Sequence, residues 1–337
     1  MKKLLFVSAV LIILGIASFA VIMTANGWDF KALGSHVLED RTHEIAEGFD
    51  SILIDADTAN IKFFPSEDGK CKVLCHDKIR AEHVVKVENG TLKIQIDDQR
   101  KWYDHINLFD SSPSITVYLP KSEYKTVDVS ASTGSVNLPA GFSLENIYIV
   151  VSTGNVHLGA SATGAAKIKA STGNVSILRA ELGSLEVQVS TGRVDVDSTS
   201  VAGNVRIKRS TGDANITALT CTSLKLESST GDSTLKDTVA TGEIQLMLST
   251  GDAKLTDTLA ERFDIATSTG KVKFESSDAK TINVLTDTGS VKGTLRTPKL
   301  FVTKTDTGRI NVPASEGSEP CIIETDTGNI EISIASS

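Results

Sequence analysis

From residue 127 to residue 334 the apolar positions keep fixed distances from a recurring Thr-Gly pair. The pair closes on Gly134, Gly154, Gly173, Gly192, Gly212, Gly231, Gly251, Gly270, Gly289, Gly308 and Gly328, so successive copies lie 19 or 20 residues apart. Ser precedes the pair in the first eight copies and Asp in the last three. Seven and five residues before the glycine the chain is apolar in every copy but for Thr303, as at Ile147 and Ile149 or Val205 and Ile207. Two and four residues after it the chain is apolar again except at Ser233 and Gly293, as at Val156 and Leu158 or Val194 and Val196. Mostly polar residues fill the gaps. Alternation of this kind predicts β-strands with one face buried. The parity changes across the glycine, which a straight strand cannot tolerate without turning half its apolar set outward. A corner at Thr-Gly resolves the conflict, because glycine reaches backbone angles closed to other residues and Ser or Asp can bond the turn's own amides.

Each unit therefore reads as strand, corner, strand and a second, more variable corner. One such layer cannot bury its apolar face alone, so the layers must stack. The pattern predicts an all-β, β-helix-like solenoid of eleven repeats, a rod roughly 50 Å long at about 4.8 Å per layer. Sequential hairpins in a twisted sheet are the rival arrangement, and they give no reason for every corner to fall at one offset.

Residues 51–126 are rich in alternating runs but lack the period. Asn89-Gly90 between two such runs is a hairpin signal. Asp57-Thr58-Ala59-Asn60 resembles a degraded corner. This region is expected to close the end of the solenoid, since an open strand edge invites aggregation. Residues 26–50 read as a polar juxtamembrane stalk.

The chain opens with Lys2 and Lys3, then an uncharged apolar run from Leu4 to Met23. Twenty residues at about 1.5 Å each span about 30 Å, the thickness of a bilayer core. Lysines before the run favour a cytoplasmic amino terminus and an exported remainder. Residues 1–25 are thus read as a stub and single-pass anchor, with Trp28 at the interface. A signal peptide cut after Ala20 is the alternative, though the run continues through Val21, Ile22 and Met23. Both readings export the repeats.

Composition narrows the function. A formal charge of −8 argues against a nucleic-acid partner. Aromatic residues are only 5% of the chain, so the core must be built of Val, Ile, Leu and Ala. Cys71 and Cys75 would lie roughly 13 Å apart on one strand, beyond the reach of a disulfide, about 7 Å. They, Cys221 and Cys321 read as small buried apolar residues.

Chemistry is sparse. Asp287, Asp306 and Asp326 each begin an Asp-Thr-Gly, as in aspartic proteases. They occupy the corner position that Ser fills elsewhere, so turn capping accounts for them. Asp213, Asp232 and Asp252 follow the corner glycine in three successive copies. Stacked roughly 5 Å apart, they form either a solvated charged row or a calcium site. No other cofactor is implied, and the six histidines show no metal-ligand spacing. Trp102 and Tyr103, aromatic in a polar connection, read as a plug for the end of the core or as a binding handle.

An amino-terminal anchor, an irregular β region and many Ser-Thr-Gly-x-Val-x-Leu units together resemble the bacterial DUF4097 family, the adhesin-like "toastrack" domain. The resemblance implies an all-β repeat domain of the cell envelope and supplies no catalytic residues. The expected protein is a non-enzymatic extracytoplasmic scaffold. It would be held in the membrane and contact a wall polymer, an envelope protein or its own copies. A sensory module of an envelope-stress response is the second expectation. An enzyme akin to β-helical polysaccharide lyases is the third, disfavoured by the regular polar faces.

Overall fold

The structure, a computed structural model, describes residues 2–25, 27–28, 38–78, 81–99 and 113–335, with only the backbone of 2–5, 7 and 9. It opens with the helix Lys2–Ala25. Among the described residues no helix is long and apolar enough to cross a membrane. The single-pass anchor expected over Leu4–Met23 therefore finds no support in the described residues.

The rest is a β-solenoid. Strands ending at the corners stack parallel and in register, so that Ile149 lies on Ile168, Ile168 on Val187 and Val187 on Ile207. The short strands after the corners stack likewise, with Val156 on Val175 and Val175 on Val194. Both rows point inward and form one continuous buried core. The corner glycines form a column. A methyl group at Gly231 would lie 1.8 Å from the carbonyl oxygen of Gly212, and one at Gly173 would lie 1.9 Å from that of Gly154. At Gly231 φ is also +119°, a region L side chains avoid. Ala59 of the degraded copy takes the next place in the column, its carbonyl oxygen 1.9 Å from a methyl group at Gly134.

The second corner is as regular as the first. Arg179, Ser198, Ala218, Asp237, Asp257 and Ser276 all take φ between 47° and 54°. This left-handed conformation costs a non-glycine residue about 1 kcal/mol. Layer-to-layer bonds offset it: Ser198 N–H donates to Thr217 O (3.0 Å), and Ala218 N–H to Lys236 O (2.9 Å). The residues that follow, from Ala180 and Thr199 to Thr258 and Ser277, are buried. In mid-rod a third short strand appears in each layer, Ser200–Val201, Thr220–Cys221 and Val239–Ala240, stacked in parallel. Two strands per layer, as the sequence suggests, is therefore one too few there.

The layers also depart from chain order at the far end. Strand Val272–Thr288 pairs with Pro320–Thr327, and Leu300–Thr307 lies outside Pro320–Thr327. The column runs Gly289, Gly328, Gly308: a methyl group at Gly328 would meet Gly289 O at 2.0 Å, and one at Gly308 would meet Gly328 O at 2.0 Å. The layer around Gly308 has the polar Thr303 in an otherwise apolar row, so it suits the end better than the interior, and at the end its Phe301, Thr303 and Val312 are half-buried. The crossing that inverts the order is pinned by Lys299, which is fully buried. Its ammonium donates to Ala279 O (2.8 Å) and Glu319 Oε2 (2.5 Å) and pairs with Asp278 Oδ1 (2.6 Å).

Antiparallel strands cap the opposite end. Ser51–Thr58 follows Glu123–Thr133, and Thr91–Asp98 follows Ser51–Thr58. Thr91–Asp98 then pairs antiparallel with Ala81–Glu88 through a turn at Asn89 (φ 50°) and Gly90 (φ 74°). A second ribbon extends Asn60–Pro65 through Ser114–Leu119 and the antiparallel Cys71–Lys78 to Leu38–Ile45, which lies in the segment read as a stalk.

All four cysteines are free and buried. Burial pushes the thiols of Cys71 and Cys221 up to about 11 and those of Cys75 and Cys321 up to about 12. At pH 8 all four are protonated. A thiol reagent is thus expected to modify none of them in the native protein and all four in urea. Gly231→Ala is expected to cost about 3 kcal/mol or more, from the collision and the strained φ together. Gly48→Ala, with nothing within 4 Å of the added methyl, should change stability by less than about 0.5 kcal/mol. Urea unfolding followed by far-UV circular dichroism compares the two.

Candidate functional site

The residue after each corner glycine carries a ladder of side chain to backbone hydrogen bonds along the rod. Asn60 Oδ1 accepts from Ser135 N–H (3.0 Å), Ser135 Oγ from Asn155 N–H (3.3 Å), Asn155 Oδ1 from Asn174 N–H (2.9 Å) and Asn174 Oδ1 from Arg193 N–H (2.9 Å). Arg193 offers no side-chain acceptor, so the run ends there. A second run passes from Asp213 to Asp232 (3.1 Å), Asp252 (2.8 Å) and Lys271 (2.8 Å). A third passes from Ser290 to Asn329 (3.2 Å) and Arg309 (3.0 Å), following the inverted order of the last layers.

Asp213, Asp232 and Asp252 are thus brought together as the stacking argument requires. One oxygen of each is already engaged with the next layer's amide. Among the described residues no three His, Cys, Asp or Glu side chains are grouped to hold a metal ion. A cation does lie inside the corner. Arg209 is 2% exposed, in a row otherwise filled by residues such as Val189, Ser228 and Leu248. Its Nη2 donates to Gly231 O (3.1 Å), Asp232 O (2.7 Å) and Ser233 Oγ (2.6 Å). Burial lowers its pKa to about 10, while Asp213 and Asp232 oppose that shift, so it stays charged at neutral pH. Arg193 approaches Asp213 from the surface at 3.8 Å. The like charges of the ladder are thereby countered from within the chain. The signal for Arg209 lay in the sequence, as a lone charge at a position that is otherwise small, apolar or hydroxylated.

A groove with aromatic and charged lining lies at the capped end. Phe64 and Tyr118 stack with ring centroids 5.7 Å apart, and Phe64 is 39% exposed. They border an open groove of about 970 Å³ with Leu74, Lys70, Lys72 and Lys121. None of these lysines is ion-paired among the described residues. Asp68, at the groove's rim, is held below the usual carboxylate range by the Lys70 N–H (3.0 Å) and the Ser66 hydroxyl (2.7 Å). Sequence reasoning missed this groove because its parts come from three segments that the pairing of Asn60–Pro65, Cys71–Lys78 and Ser114–Leu119 assembles. Trp102 and Tyr103 lie outside the described residues.

Asp77 and His83 are the buried titratable pair of the capped end, with Oδ1 to Nδ1 at 2.5 Å and His83 N–H donating to Oδ2 at 2.8 Å. The two bonds span six residues and tie Cys71–Lys78 to Ala81–Glu88. Asp287, Asp306 and Asp326 stand at stacked corners.

The family model Toastrack DUF4097 matches residues 49–236 and, in an overlapping second match, 215–337. No curated protein matches the chain. Among solved structures, a "putative adhesin" of Bacteroides fragilis is 17% identical, with 89% of this chain and 99% of that one covered and a TM-score of 0.36. A "putative lipid binding protein" of Parabacteroides distasonis is 15% identical, with 89% and 98% covered and a TM-score of 0.34.

If the aspartate row serves the amide ladder, Asp232→Asn should retain stability, since Asn fills the same role at Asn155 and Asn174. Asp232→Ala should lose about 1 kcal/mol. Millimolar calcium should shift the melting temperature of the wild-type protein by less than about 1 °C, because stabilisation follows ligand occupancy. Calorimetric melting curves measure all three.

Proposed function

The chain belongs to the Toastrack DUF4097 family, and we propose that it is a non-enzymatic binding scaffold of the cell envelope. In this reading Leu4–Met23 holds it in the membrane, the capped end of the solenoid sits near the bilayer, and the rod projects outward. The observation that carries the reading is the groove beside Phe64 and Tyr118. A stacked aromatic pair, Phe64 exposed and Tyr118 half-buried, beside three lysines that make no ion pair among the described residues is unexpected on a protein of net charge −8, though Glu67 and Asp68 line the same groove. Aromatic faces cover the apolar face of sugar rings, and ammonium groups hold phosphate or carboxylate. An acidic envelope glycan has both features, and its repeats would allow several rods to engage one polymer. Rigidity supports the role, because a rod whose layers are locked by steric contact keeps its base and tip apart without a further partner.

The test is retention of the full chain, in detergent, on isolated wall material before and after its anionic polymer is removed. Retention is expected to fall with the polymer. Phe64→Ala and Lys72→Glu should each weaken it about tenfold, the loss of roughly 1.4 kcal/mol per contact. Equal retention of all forms on both materials would remove the groove from the account.

A further inference from the structure

We propose that the far tip of the solenoid pairs with the tip of a second copy of this chain, through Leu300–Thr307. The two ends of the rod are unequal. Antiparallel ribbons cap the end near residue 51, and their outer strands, Leu38–Ile45 and Ala81–Glu88, carry charged residues such as Glu39, Asp40, Arg41, Glu82 and Lys86 along their edges. At the tip, Leu300–Thr307 pairs with Pro320–Thr327 on one side and with no strand on the other, among the described residues. An open strand edge is a template for another strand.

Alternation along the edge shows which residues face outward. Leu300 N–H donates inward to Glu319 O (2.8 Å), and Phe301 N–H donates outward to Ser315 Oγ (3.1 Å). Thr303 and Thr305 therefore follow Phe301 toward the open side. The side chains change character here too. Six residues before the corner glycine the rod displays Lys167, Glu186, Arg206, Lys225, Gln245 and Asp264. The last two layers display Ile322 and Val302, 37% and 54% exposed, and Leu300 and Ile310 beside them are each 45% exposed.

Charge selects the occupant. Lys304 and Asp306 lie on one face of the edge strand, 3.5 Å apart and largely exposed. Two copies related by a two-fold axis pair antiparallel. Centred on Thr305, that pairing sets the two Thr305 residues to exchange N–H···O bonds, as the alternation demands. It also sets Lys304 opposite Asp306 of the other copy, twice. Centring on Thr303 would use Phe301, whose N–H is already bonded to Ser315, and would oppose Lys304 to Val302. The edge is thus complementary to itself in one register. Because the contact is isologous, each copy's edge is used up by its partner and the pairing closes as a dimer. One layer's end face is smaller than a standard interface of about 1,600 Å², so the dimer is weak and forms where copies are crowded.

Sedimentation of the full chain in detergent over rising concentration tests this, with the charge-reversed variants Lys304→Glu and Asp306→Lys. A reversible dimer is expected for the wild type. Each single reversal places like charges opposite one another at two symmetric points and should weaken the dimer by about tenfold or more. An equimolar mixture of the two variants should restore it as a heterodimer, an outcome that misfolding or contact between helices does not produce. A monomer at every concentration would overturn the proposal, as would a dimer indifferent to the reversals or a mixture that fails to recover. The glycan reading is tested by retention on wall material and stands or falls separately.

Discussion

The structure depends on the distance between successive corner backbones. The carbonyl oxygen of each corner sits where a side chain on the next corner would begin, as at Gly173 over Gly154 and Gly231 over Gly212. Parallel strands at about 4.8 Å set that separation, and the turn aims one layer's carbonyl at the next layer's Cα. No residue but glycine fits repeatedly, so the layers stack in phase. Because they are in phase, every other position also forms a row. Inward rows fuse into one core, and the row after the glycine becomes the amide ladder from Asn60 to Arg193 and from Asp213 to Lys271. A row multiplies the consequence of any residue type placed in it, so three aspartates in succession demand compensation. Arg209 supplies it from inside the corner, where its desolvation is partly offset by carbonyl oxygens that the turn already presents.

Much of this was legible, because a period of 19 or 20 residues ties one local geometry to many independent positions. The Thr-Gly corner, the inward rows, the Asn89-Gly90 hairpin and the Ala59 corner all follow from turn chemistry and parity. The second corner escaped reading for a physical reason. Its left-handed residue is Arg179, Ser198, Ala218, Asp237, Asp257 or Ser276, a set with no common chemistry, since stacked backbone bonds rather than a side chain hold it. The inverted order of the last layers was written in Thr303 alone, and only as an exception to a row. A single polar residue among buried positions signals either a satisfied hydroxyl or a layer with one face in water, and periodicity alone does not distinguish them. The groove beside Phe64 was invisible because sequence distance hides what antiparallel pairing brings together.

The inversion raises an energetic question, because chain-order stacking needs no crossing and no buried charge. Lys299 is fully buried between Asp278 and Glu319. Replacing such a cluster by apolar residues is often neutral or stabilising, whereas removing one partner costs about 3–5 kcal/mol. An ionic cluster is therefore a poor source of stability and a good source of uniqueness. At this end uniqueness is the scarce quantity. Adjacent layers of a solenoid are nearly interchangeable, and the layers around Gly308 and Gly328 share the same Asp-Thr-Gly corner. Aliphatic packing discriminates weakly between the two orders. The carboxylates of Asp278 and Glu319 converge on one ammonium when the chain passes from Leu295 to the outermost layer at Leu300–Thr307 and comes back to the layer beneath at residue 320, an order that leaves the buried Lys299 with both its partners. The cluster thus adds to the preference of the Thr303 layer for the end, and with it helps set which residues the rod presents there.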